Sequence, residues 1–141
     1  MIPPAPTETL ANCMWLPRIL GKARLIASGQ LPESFARLFC SPHGMDGVFL
    51  KRFELTRDDI ERFAALSDQA AARAFLDHPD VTPEKIEAWN RDAPQFGKPG
   101  YPLENVFPVA LAERYPEVQR LKPQTVFEML AADDARLRSS A

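Results

Sequence analysis

Leu55-Thr56-Arg57-Asp58-Asp59-Ile60-Glu61-Arg62-Phe63 decides the fold class. Thr56 is placed to cap a helix, and Leu55 just before it can close over Ile60 at the fourth helical position. Asp58 and Asp59 suit the positive end of a helix dipole. The same order recurs in Val81-Thr82-Pro83-Glu84-Lys85-Ile86-Glu87-Ala88-Trp89. Two copies are too few to make an internal repeat, and a shared helix-start chemistry explains the likeness.

Outward from this pair, helix signals continue. Ser67 to Leu76 is alanine-rich and stops at His78-Pro79. Upstream, Leu16, Ile19, Leu20, Ala23, Ile26 and Ala27 fall at helical spacing, with Pro17 in the first turn and Gly29 as the stop. A short helix is expected from Pro32 to Phe39, then a loop from Cys40 to Gly44. Asp46 stands where an N-cap would, ahead of Val48, Phe49, Leu50 and Phe53. By residue type Val48 to Leu55 could be a strand, but no partner strand is apparent, so the reading is helix. Downstream, Pro94 to Pro102 is a loop of breakers, Val106 to Tyr115 holds a short helix, and Thr125 with Glu128 offers a capping box. The pattern predicts an all-α fold of about five to seven helices without a substantial sheet.

The chain has 141 residues, enough for one domain with a core of its own. The expected layout is a proline-rich extended arm at 1–13, a helical core at 14–93, and a segment at 94–141. Val106, Phe107, Leu111, Tyr115, Leu121, Phe127 and Leu130 predict that this last segment packs on the core. A net charge of -2 argues against nucleic acid and anionic membranes as partners. No run approaches the ~20 apolar residues of a membrane span, and the first residues lack a secretory pattern. Two cysteines do not make a disulfide scaffold, so reduced thiols and a cytoplasmic setting are expected.

Arg18, Lys22 and Arg24 are the first candidate site residues. Arg18 and Lys22 share a helix face, and Arg24 lies roughly 120° from Arg18. They are either solvated and ion-paired cations or a clamp for a phosphate or carboxylate. Of the three, Arg24 is the one expected to turn inward onto Asp46, which leaves Arg18 and Lys22 as ligand candidates. Cys40, His43 and Asp46 are all zinc-ligand types, but the second close pair of a structural site is missing, so no metal is expected. A Cys–His nucleophilic pair is weaker still at this spacing. Asp58, Asp59, Glu61, Asp133 and Asp134 read as solvated faces, and Phe63 and Trp89 as core. An exposed apolar surface near Phe96, Tyr101 and Phe107 would mark a protein partner.

Leu16-Pro17-Arg18, Lys22-Ala23-Arg24, Gly29-Gln30-Leu31, Asp46 with Phe49-Leu50, and Phe53-Glu54-Leu55 follow the order of one family. Over about residues 14–92 the chain resembles domain of unknown function 5069. That resemblance implies a small, mostly helical bacterial protein and brings no catalytic residues; 94–141 has no counterpart in it. The common phosphate-loop, serine-elbow and zinc-protease motifs are missing. The expected function is therefore a non-catalytic binding or interaction module, with no cofactor and an unknown protein partner or second copy. The alternative is a protein or enzyme that takes an anionic metabolite through the Arg18, Lys22 and Arg24 region.

Overall fold

The computed structural model describes residues 2–140. Among them are eight α-helices, two 3-10 helices and one two-stranded sheet, so the chain is mostly helical. The helix count exceeds the expected five to seven. The two 3-10 segments are too short to leave a periodic signature. The chain divides into two compact units, Pro3–Asn90 and Arg91 onward.

The first unit does not begin with an extended arm. β1 (Thr9–Leu10) and β2 (Cys13–Met14) pair antiparallel through a two-residue turn. Ala11 and Asn12 both take positive φ, as a primed hairpin turn requires. Pro3, Pro6 and Cys13 are buried. A Cβ on Gly21 of α1 would overlap the Pro4 ring, so that glycine lets the arm lie on the helix.

α1 (Leu16–Ala27) ends as expected at Gly29, with bonds from Gly29 N–H to Ile26 O and from Gln30 N–H to Leu25 O. α2 is only Glu33–Ala36. The strand alternative for Val48–Leu55 fails, because α3 runs Met45–Phe53. Thr56 caps α4 (Arg57–Ala64) as expected, and Asp59 makes the cap a reciprocal capping box. α5 (Asp68–Asp77) is capped by Ser67, and Thr82 accepts from Lys85 N–H at the start of α6 (Pro83–Asp92). The core is aromatic: Phe49 packs 5.0 Å from Phe53 and edge-on to Trp89 at 5.3 Å, and Phe75 meets Phe53 at 5.4 Å. Such ring pairs each add about 0.5–1.5 kcal/mol beyond the area they bury.

In the second unit, α7 (Phe107–Glu113) has Pro108 in its first turn. α8 (Val126–Ser140) is capped by Thr125, whose Oγ1 accepts from Glu128 N–H. The Glu128 carboxylate takes the Gln124 N–H and not the Thr125 N–H of a capping box. Gly97 has φ +99 and sits against the Phe107 ring and Val126, leaving no room for a side chain. Phe96 and Phe107 are buried, while Tyr101 and Val109 are exposed. Asp133 and Asp134, read as solvated, are also buried; Arg136 donates to Asp133 at 2.8 Å.

Candidate functional site

Two features of the first unit hold its candidate residues: a sealed charge cluster and an open groove. The cluster centres on Asp46, which is not an N-cap. Gly44 holds that place, and Asp46 is the second residue of α3, its carboxylate turned toward α1. Lys22 Nζ donates to Oδ1 at 3.1 Å and Oδ2 at 3.0 Å. Trp15 Nε1–H donates to Oδ1 at 2.8 Å, and the Cys40 backbone N–H to Oδ2 at 2.9 Å.

The sequence folds locally to make this possible. Trp15 and Cys40 both adopt left-handed backbone conformations, at φ 76 and φ 57. For such residues this costs about 1–3 kcal/mol each, and it aims both donors at one carboxylate. A Cβ on Gly47 would strike the Ser41 carbonyl and Pro42, so glycine there lets the 40–44 loop close over α3.

Arg18 completes the cluster. It is 1% exposed, donates from Nη1 to Pro4 O at 3.0 Å, and lies over the rings of Trp15 and Phe35 at 5.4 and 5.6 Å. Lys22 Nζ lies 5.0 Å from the Trp15 ring centre. Burial lowers the Lys22 pKa; the Asp46 charge opposes that shift and Arg18 adds to it.

These positions also correct which cation meets Asp46. The inward partner of Asp46 is Lys22, not Arg24. Helix α1 is covered on its Arg18–Lys22 face as well as on its apolar stripe, because the N-terminal arm and the 40–46 segment fold over that face. Arg24 points the other way. Its Nε and Nη2 donate to the Ala64 and Leu66 carbonyls, and Nη1 pairs with the exposed Asp68 at 2.6 Å.

Cys40, His43 and Asp46 do not converge on a metal position. His43 is exposed, and among the described residues no three His, Cys, Asp or Glu side chains could hold a metal ion. The Cys40 thiol is pushed up to about 12 by burial and by the Asp46 charge, which makes it a poor nucleophile.

The groove lies between α1 and α4 and has a volume of about 420 Å³. Ala23, Ala27, Phe39 and Ala64 form its apolar floor, with Arg24, Arg57 and Glu61 at its edge. Arg57 was not among the sequence candidates. Nothing in the sequence sets it apart from any other basic residue in a first helical turn. Trp15 was legible only as the residue before a helix.

The family model for "Domain of unknown function (DUF5069)" matches residues 1–136. The chain belongs to this family. The match extends well past the 14–92 segment read from short motifs, so most of the second unit lies within the family too. No curated protein and no solved structure matches the chain.

Proposed function

We propose that the protein is a non-catalytic binding module whose α1–α4 groove receives its ligand. One observation carries this reading: the cations of α1 are divided between two tasks. Lys22 and Arg18 are spent inside the fold, where Asp46 has bonds on both oxygens. Arg24 stands at an open groove whose volume falls in the usual range of small-molecule sites. An enzyme working through Lys22 or Cys40 would need those groups accessible and reactive, but Lys22 is sealed against Asp46 and the Cys40 thiol is pushed away from neutral pH.

We propose a cytoplasmic setting for the module, in the bacterial protein that the family resemblance implies. Two free thiols and no helix among the described residues long and apolar enough to cross a membrane support that placement.

The test is a nuclear magnetic resonance survey with small amphiphiles. The reading predicts shifts clustered along the second half of α1 and along α4, with each compound recovered unchanged. Chemical conversion of a bound compound, or shifts clustered at Trp15, Lys22 and Asp46, would overturn it.

A further inference from the structure

We infer that the groove selects a small amphipathic monocarboxylate, with Arg57 as the group that takes the carboxylate. The inference rests on the reading of the groove as the binding site and names its ligand class.

Arg57 is held as a ready-made fork. Its guanidinium carbon sits 4.9 Å from the Phe39 ring centre, and its Nε donates to Glu61 at 3.2 Å. The ring contact and that single bond restrict the group. Nη1 and Nη2 make no hydrogen bond to protein among the described residues, and the side chain is 55% exposed. The outer edge of a guanidinium is the edge that grips a carboxylate through two parallel bonds. A group already held in its binding orientation loses less freedom on complex formation.

Arg24 is a poorer anchor. All three of its nitrogen positions are used, by Ala64, Leu66 and Asp68.

The floor specifies the rest of the ligand. Ala23, Ala27 and Ala64 are small, so a narrow apolar chain fits along them. Glu61 limits the charge. It stands beside Arg57 at the rim and repels a second negative charge, so a monoanion is preferred to a dianionic phosphate monoester. A second groove, of about 490 Å³, lies near the β-hairpin turn and is lined by Glu87 and no cation. It lacks the chemistry to hold an acid.

The test uses the full chain and four probes of one chain length: octanoate, octyl phosphate, octanol and octylamine. Binding is read by calorimetry and by amide shifts. Octanoate is expected to bind best, with shifts along α1 and α4. Arg57→Gln should weaken it by about ten- to a hundredfold, and Arg57→Lys by less. Ala27→Trp, at an exposed position on the floor, should abolish binding of octanoate. Melting temperatures of all three variants should stay near that of the wild type, which separates lost binding from lost folding.

If octanol or octylamine binds as well as octanoate, and Ala27→Trp blocks it while Arg57→Gln does not, the carboxylate assignment is wrong and the groove reading stands. Octyl phosphate binding tighter than octanoate overturns the monoanion preference. If no probe binds, or Ala27→Trp has no effect on binding, the groove reading falls and the inference with it.

Discussion

Lys22 Nζ lies 3.0 Å from Asp46 Oδ2, and the two side chains are 7% and 0% exposed. This pair joins the middle of α1 to the first turn of α3 inside a covered site. A buried pair of this kind is held by its geometry: the desolvation cost of each charge is met only while the other is present. The Trp15 indole and the Cys40 backbone supply the remaining bonds that Asp46 needs.

Removing one partner should therefore be severe. Lys22→Met leaves the carboxylate buried without its counter-charge and is expected to cost about 3–5 kcal/mol. Asp46→Leu should cost at least as much, since it also orphans the Trp15 N–H and the Cys40 N–H. The double variant should lose clearly less than the sum of the two. Denaturant unfolding of the four proteins measures the coupling, and additive losses would contradict the pairing.

Arg24 gives the contrasting case. Its ion pair with Asp68 is solvent-exposed, so Asp68→Asn should change stability by at most ~1 kcal/mol. Arg24→Gln also loses the bonds to Ala64 and Leu66, which tie α1 to the turn after α4. It should cost roughly 1–3 kcal/mol, less than Lys22→Met. Chemical denaturation of both variants checks the order.

Gly47→Ala is a test of how the 40–44 loop closes. The added methyl would meet the backbone of Ser41 and Pro42, which cannot swing aside as a side chain can. A loss of about 1–3 kcal/mol is expected, although alanine is the better helix former. A stabilised variant would mean that the loop does not rest on α3.

The thiols carry a pH prediction. Burial pushes Cys13 up to about 12 from its ordinary 9.0. The unfolded chain then sheds this proton first, so the stability tied to Cys13 is complete below pH 9.0 and is lost as pH rises toward 12. The limiting slope is about 1.4 kcal/mol per pH unit. The stability difference between wild type and Cys13→Ala should therefore shrink above pH 9.0. Lys22 titrates in both proteins and cancels. A difference that stays constant to pH 11 or so would contradict the shift.

Much of the helical pattern was written in local chemistry. Thr56, Ser67 and Thr125 cap the helices their positions announce, and Gly29 ends α1 where expected. The hairpin was hidden because the two strands are two residues each, with no room for alternation, and because the proline run masked a packed arm. Arg18, Lys22 and Asp46 were legible as candidates. Their roles were not, since which cation meets Asp46 depends on how the N-terminal arm and the 40–46 segment cover α1, a long-range property. Arg57 became visible only once Phe39 was seen beneath it.

The central claim is that the α1–α4 groove takes its ligand through Arg57 while Arg18 and Lys22 serve the fold, and one variant measures it directly. The melting temperature of Arg57→Gln is recorded with and without octanoate. The account predicts a value within a few degrees of wild type without ligand, as for an exposed charge, and loss of the rise that octanoate gives the wild type. A steep fall without ligand, or a rise with octanoate equal to that of the wild type, would contradict it.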